Sequence, residues 1–390
     1  MTAASAAPPP DPLRPFVCTN CARPYPPSGF PYRCPVCAGP FDFASPLTYA
    51  PEDDGVPPRG LARYRKTFPL PSEGAWVTLG EGGTPLVLGE IQGRPVYFKC
   101  EYLNPTGSFK DRGTAVLVSA LAAAGVRAVV EDSSGNAGAS LAAYCARAGI
   151  RARIFTPAYA SGPKVAQMEA CGAEVVRVEG PRSAVSEAVL GEVTADAVYA
   201  SHAHLPHVIA GMATVAFEIV EQLGDAPGSV VVPVGQGSLL LGMHRGFEAL
   251  MRAGVVKRTP MLVGVQAISC APLWALHTGG VDGLRWVREG ETIAEGIRIL
   301  RPLRGDAVLV AVEGSGGTLV AVDEQAIRAG CDALARRGLY VEPTSAVVYP
   351  AMLDRMETLP APVVAVLTGS GYKVAAAGAR ARATQEAARP

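Results

Sequence analysis

Lys110 lies in the run Asn104-Pro-Thr-Gly-Ser-Phe-Lys-Asp-Arg-Gly113. The Pro-Thr-Gly turn predicts a helix start, with Ser108 or Thr106 as cap and Lys110 in the first turn. The positive end of the helix dipole disfavours a cation there and so favours the neutral amine, the form that makes a Schiff base. The plainer reading is a helix-start lysine paired locally with Asp111. A second constellation is sulfur: Cys18, Cys21, Cys34 and Cys37 form two C-x-x-C pairs separated by twelve residues. Two such knuckles around a short Pro/Gly-rich hairpin supply four thiolates, the donor set of tetrahedral Zn²⁺. Four ligands leave no open coordination position, which makes the site structural; the alternative is a redox or incidental cysteine cluster.

Three further loops are rich in small residues, and the first two carry the residue types of anion seats. Glu131-Asp-Ser-Ser-Gly-Asn-Ala-Gly138 and Val232-Pro-Val-Gly-Gln-Gly-Ser-Leu239 each run from an apolar strand into a helix. Small residues there let backbone N–H groups face an anion at the helix start. The second is not a Walker A loop, since no Gly-Lys-Ser/Thr follows. Nor is it a full G-x-G-x-x-G, because Leu240 occupies the third glycine's place. The third loop, Leu367-Thr-Gly-Ser-Gly-Tyr-Lys373, follows an apolar strand. Taken singly, each also reads as an ordinary glycine-rich turn.

The elements that must position these loops alternate. Strands are predicted at 96–100, 127–131, 151–155, 174–178, 229–234, 261–266 and 363–367. Helices are predicted at 113–124, 137–148, 163–170 and about 239–253. Strands with little polar face, alternating with helices, imply parallel sheets covered on both sides, with loops meeting at the strands' C-terminal ends. The fold class is thus α/β: two open, mostly parallel sheet domains and a small N-terminal zinc ribbon. Residues 46–75, rich in Pro and Gly, look like a linker, and Met1–Pro12 like a flexible tail rather than a signal peptide.

With 390 residues, 49% hydrophobic and 18% charged, the chain is globular and long enough for two or three domains. A formal net charge of zero argues against a nucleic-acid partner. No apolar run is long enough to span a bilayer. The expected compartment is the cytoplasm. Cys100, Cys145, Cys171, Cys270 and Cys331 read as small buried hydrophobes rather than a disulfide framework.

The lysine decapeptide closely resembles that of the threonine synthases, within the tryptophan-synthase-like (fold type II) enzymes that use pyridoxal 5′-phosphate (PLP). The resemblance spans about residues 78–374 in separated blocks, which also include Gly80-Glu-Gly-Gly-Thr-Pro-Leu86 and Gly338-Leu-Tyr-Val-Glu-Pro-Thr-Ser-Ala346, where Thr344 or Ser345 is expected to cap a helix. It implies that Lys110 is the catalytic, PLP-bearing lysine and that Asn136 contacts the cofactor's 3′-oxygen. By the same resemblance, the backbone of Gly235, Gln236, Gly237, Ser238 and Leu239 holds the PLP phosphate, and Thr368 bonds the pyridine nitrogen, with Ser370 a lesser candidate. Ser133, Ser134, Gly135 and Ala137 hold the substrate carboxylate. The ribbon is similar to that of some threonine-synthase-like proteins. The resulting domain plan is a tail (1–15), a zinc ribbon (16–45), a large PLP domain (46–104 with 206–380), a small α/β domain (105–205) and a second tail (381–390).

The implied activity is that of a PLP-dependent lyase, turning O-phosphohomoserine and water into threonine and phosphate. The partner is thus a small amino acid, and the expected assembly a homodimer. One departure bears on the substrate: where the family carries Asn-Pro-x-Arg for the substrate phosphate, this chain has Leu205 and Val208, beside the run His202-Ala-His-Leu-Pro-His207. Neutral imidazoles are a poor substitute for charge-assisted donors. Alternatives therefore stay open: a β-replacement enzyme of the cysteate or cysteine synthase kind, a threonine/serine dehydratase, or a silent PLP-fold scaffold with a partner-binding ribbon. A nicotinamide-dependent enzyme is disfavoured by the missing third glycine, and a metal at the three histidines by the lack of a nearby acid.

Overall fold

Strands without a polar face need helices on both sides, and the order of elements supplies them. The computed structural model describes residues 13–52, 60–71, 74, 76–158, 160, 162–180, 182–194 and 196–374. β1 (Phe16–Cys18) and β2 (Phe41–Phe43) pair antiparallel as a small hairpin. β3 (Leu86–Ile91), β4 (Arg94–Lys99) and α1 (Lys110–Ala123) follow. Next come β5 (Ala128–Glu131), α2 (Asn136–Ala148), β6 (Arg151–Pro157), α3 (Pro163–Ala170), β7 (Glu174–Val178), α4 (Arg182–Gly191) and β8 (Val198–Tyr199). The chain continues through α5 (His207–Leu223), β9 (Ser229–Pro233), α6 (Ser238–Arg252), β10 (Met261–Ala267), α7 (Pro272–Gly283) and α8 (Gly305–Gly314). β11 (Thr318–Val322), α9 (Glu324–Ala335), α10 (Pro343–Ala346), α11 (Val348–Arg355) and β12 (Val363–Val366) complete it.

Two α/β sheets result. The larger runs β11-β10-β9-β12-β4-β3 and is parallel except for the edge strand β3. The smaller runs β7-β6-β5-β8 and is parallel throughout. All its strands lie between β4 and β9 in the chain, so it is an excursion from the larger sheet. β9 and β12, buried along their whole length, are central; β3, with half its residues open to solvent, is at an edge. Because β12 enters between β9 and β4, the strand order reverses there, the place where open α/β sheets bind ligands.

α5 was not anticipated. Every residue from His207 to Val220 is buried, so no polar face betrays a helical period. It packs between α1 and α6. A Cβ on Gly211 would run into the Arg112 carbonyl oxygen, which is why a glycine stands where α1 and α5 meet.

The expected linker is instead largely packed. A 3₁₀ segment, Gly60–Thr67, buries Leu61 and Tyr64 beside α5, and Leu47, Phe68 and Val77 join the same core. Pro and Gly mark irregular backbone there, not freedom. Residues 53–59, the tail at 1–12 and the end of the chain from 375 on lie outside the described residues. Among those described, no helix is long and apolar enough to cross a membrane.

Candidate active site

The residues flanking Lys110 are tied down, and Lys110 is not. Asp111 accepts from the backbone N–H of Thr106 at 2.7 Å and from its hydroxyl at 2.6 Å, and the Ser140 hydroxyl lies 2.6 Å away. The expected cap is thus inverted. Neither Ser108 nor Thr106 caps α1; a carboxylate inside the helix reaches back to hold the turn. Burial pushes the Asp111 carboxyl up to about 6, against those hydrogen bonds. Arg112 is fully buried and splits its guanidinium between Glu101 (2.6 and 2.7 Å) and Glu218 (2.8 and 2.7 Å). Lys99 reaches Glu218 at 2.7 Å. Burial opposes charge on Glu218, yet Arg112 and Lys99 hold its carboxyl well below the usual range. These bonds pin the first turn of α1 to β4 and α5.

Lys110 Nζ touches no carboxylate. It lies 4.8 Å from the centroid of the Phe109 ring, so pairing with Asp111 is excluded. Burial lowers its amine to about 8, against the pull of Glu131 and Glu342. The cause is desolvation rather than the helix dipole. At pH 7 about a tenth of such amines is neutral, roughly 300-fold more than at the ordinary lysine value.

The loop after β12 lies alongside this turn. Phe109 N–H donates to the Thr368 carbonyl at 3.0 Å, Ser370 N–H to the Gly107 carbonyl at 3.0 Å, and Ser108 bridges to Gly369. Thr368 N–H donates to Ser345 Oγ at 2.8 Å, leaving Thr368 Oγ1 buried with no partner. Ser345 therefore receives a loop rather than capping a helix, and Thr344 Oγ1 accepts from Gly296 N–H at 3.0 Å. Ser370 Oγ accepts from Tyr372 N–H, within its own turn.

Val234–Leu239 leaves the C-terminal end of β9, beside β12. Gly237 has φ +82°, and α6 begins after it without a side-chain cap, so its first amides stay available. Gly235 sits flat against Gly296 and Ile297, where a Cβ would come within 3.0 Å of both. The Gln236 side chain accepts from Leu303 N–H at 3.0 Å. Gly296 joins this loop to Thr344, and Ser345 joins it onward to Thr368.

Ser133, Ser134, Gly135, Asn136 and Ala137 occupy the C-terminal end of β5 and the first turn of α2, all half-buried. Asn136 Nδ2 donates to Glu342 Oε1 at 2.8 Å, and Lys164 Nζ pairs with Glu342 Oε2 at 3.0 Å. Glu342, to which its sequence motif gave no role of its own, thus ties α2 and α3 to the loops of the larger sheet. Lys164 carried no sequence signal. Lys373 donates to the Thr106 carbonyl at 2.7 Å, and burial lowers it to about 8, against Glu342 and Asp111.

The histidine run is part of the core rather than a set of charge donors. Burial lowers His202 and His207 to about 3 and His204 to about 4. His202 Nε2 lies 2.7 Å from Thr114 Oγ1, whose hydroxyl is 2.9 Å from the Lys110 carbonyl. His204 and His207 face the hairpin: His207 packs on Phe16 (4.6 Å between ring centroids) and His204 on Tyr32 (5.3 Å). Arg245 grips Asp42 at 2.5 and 2.8 Å, and Arg304 donates to the Phe41 and His204 carbonyls.

In that hairpin the sulfurs of Cys18, Cys21, Cys34 and Cys37 lie within 4.8 Å of one another, three contacts being 3.4–3.7 Å. The Val36 N–H helps bring the Cys34 thiol down to about 6. Cys37, though Gly39 N–H favours its thiolate, is pushed up to about 12 by Cys18 and Cys21. Among the described residues this is the one group of three or more His, Cys, Asp or Glu close enough to hold a metal ion.

An aromatic aldehyde bearing a phosphate, as PLP is, needs an amine, a dipole-lined seat and a partner for its ring nitrogen. Lys110, the Gly235–Leu239 turn and the orphaned Thr368 hydroxyl fit that need. The sequence profile of a family described as "Pyridoxal-phosphate dependent enzyme" matches residues 77–369. Threonine synthase of Mycobacterium leprae is 36% identical over 329 residues, covering 81% of this chain and 89% of that one. Threonine synthase of Methanosarcina acetivorans is 33% identical over 372 residues, covering 90% of each. The solved structure of a threonine deaminase from T.th. superposes with a TM-score of 0.62 at 28% identity, covering 74% of this chain and 92% of that one.

Proposed function

This chain belongs to the pyridoxal-phosphate-dependent enzymes of fold type II, and from that premise we propose that it is a lyase of the threonine synthase kind. The reaction is loss of phosphate from O-phosphohomoserine and addition of water at Cβ, giving threonine. The observation that carries the reading is an amine free of any carboxylate, in a turn hydrogen-bonded to the loop that buries an unpartnered hydroxyl. Lys110 would hold the cofactor's aldehyde, Asn136 its 3′-oxygen, Thr368 its ring nitrogen, and the Gly235–Leu239 amides its phosphate. When bound, PLP supplies the electron sink that weakens the C–H bond beside the amino group. Lys110 Nζ, with a basicity near 8, takes up and returns substrate protons close to neutral pH. The half-buried Ser133, Ser134, Gly135 and Ala137 offer hydroxyls and amides to the substrate carboxylate.

A second reading is favoured by one observation. His202 and His207 are buried and held neutral, and Leu205 and Val208 are wholly buried, so this run offers a phosphate no cationic donor. A substrate with a different leaving group, as in β-replacement or dehydration, then competes with O-phosphohomoserine. The test is incubation with O-phosphohomoserine, O-phosphoserine, serine and threonine, following phosphate and keto-acid release. Phosphate and threonine are expected from the first. Pyruvate or 2-oxobutyrate instead would replace this reading with the dehydratase. Lys110→Ala is expected to abolish turnover; an active variant would refute the role of the amine.

The four cysteines are proposed to hold one structural Zn²⁺, since their sulfur spacing suits bonds of about 2.3 Å to a central ion. One zinc per chain by elemental analysis is expected, and none in a variant with all four cysteines changed to serine.

A further inference from the structure

The hairpin that carries the four cysteines rests on the smaller sheet beside a loop the proposed reaction needs. Tyr32 leaves the hairpin and packs edge-on against Tyr199, with ring centroids 5.2 Å apart and planes at 78°. It also packs edge-on against His204, at 5.3 Å and 82°. Tyr199 is 5% exposed and closes a cluster with Val130, Phe155, Val185 and Val189 under the end of β5. Its hydroxyl donates to Asp132 Oδ1 at 2.7 Å, and the Ser186 hydroxyl donates to Oδ2 at 2.8 Å. Asp132 is the residue immediately before Ser133.

The hairpin is also seated firmly enough to transmit a position. Phe16 packs on His207, Arg245 forks onto Asp42, and Arg304 bridges the Phe41 and His204 carbonyls. Tyr32 therefore approaches Tyr199 from a base anchored at three separate points.

We propose that the cysteine hairpin is a positioning element of the active site, with Tyr32 holding Tyr199, and through Asp132 the Ser133–Ala137 loop, in place. Tyr32 is a positioning residue: it acts on the substrate's carboxylate seat through two side chains. The role given to that seat rests on the proposed function, but the mechanical link does not.

The test uses the full chain loaded with PLP. Hydrogen–deuterium exchange is measured over 131–138, with 229–234 and 261–267 as controls, in wild type, Tyr32→Ala, Tyr32→Phe and Tyr199→Phe. Losing an aromatic pair of this kind, or the single Tyr199–Asp132 hydrogen bond, corresponds to about a two- to tenfold change in an opening equilibrium. Tyr32→Ala and Tyr199→Phe are expected to speed exchange at 131–138 by about that factor, with the control strands unchanged. Tyr32→Phe, which keeps the ring, is expected to match wild type. In turnover, KM for the amino acid should rise about two- to tenfold with kcat nearly constant. Unchanged exchange at 131–138 in Tyr32→Ala would overturn the proposal, as would a rise spread equally over the controls. A wild type inactive on every substrate would count against the assigned reaction, while the exchange data would still decide the coupling.

Discussion

Two residues apart on one helical turn, Lys110 and Arg112 meet opposite fates. Arg112 is wholly buried between two carboxylates, with five hydrogen bonds to Glu101, Glu218 and Thr214. Lys110 keeps its amine off every carboxylate and sits beside a loop with an unsatisfied hydroxyl. One region puts its charges into holding the turn; the other leaves its groups uncommitted so that a ligand can use them. Both cations lose water, but Arg112 recovers the loss from its partners and Lys110 does not, which is why its basicity falls. A reactive amine here is a by-product of rigid surroundings rather than of one special neighbour.

The contrast can be broken most severely at Arg112. Arg112→Met leaves Glu101 and Glu218 facing each other without that cation, and thermal or urea unfolding should show a loss of about 3–5 kcal/mol. A loss under about 1 kcal/mol, the scale of an exposed pair, would mean that the network is dispensable. Lys110→Met should do the reverse in the cofactor-free protein. Its folded value, about 8, lies below the ordinary 10.5. The cost of burying the ammonium is therefore fully present below about pH 8, fades as pH rises toward 10.5, and is absent above that. The variant should thus be more stable than wild type by on the order of 1–3 kcal/mol near pH 7, with the gap closing in alkali. A gap independent of pH would show that packing, and not charge, sets it.

Much of this site was legible before any coordinates. The lysine decapeptide, the glycine turn before α6 and the C-x-x-C pairs announce themselves because backbone conformation or ligand number dictates residue type. β5, β6 and β7 of the smaller sheet and the central pair β9 and β12 were readable, the central pair because a strand buried on both faces has few residues to choose from; the two-residue β8 was too short to signal itself. What stayed hidden depends on tertiary partners. α5 has no polar face to set a period. Glu342 meets Asn136 across 206 positions of sequence, and nothing local to either residue foretells it. The histidine run invited a polar reading, yet Phe16, Tyr32 and the Arg304 bridge make it the seat of the cysteine hairpin. Thr344 and Ser345 carried the composition of a helix cap but serve as acceptors for two neighbouring loops.

The place of β12 has a consequence for how the protein is made. It is the last strand among the described residues, yet it slots between β9 and β4 in the middle of the larger sheet. Lys110 leaves the ribosome more than 250 residues before Thr368 does. A nascent chain therefore exposes the apolar flanks of a gapped sheet until β12 emerges. Premature termination even a few codons before that strand would leave a protein with its lysine in place, without the Thr368 hydroxyl beside it, and with two open edges inviting aggregation.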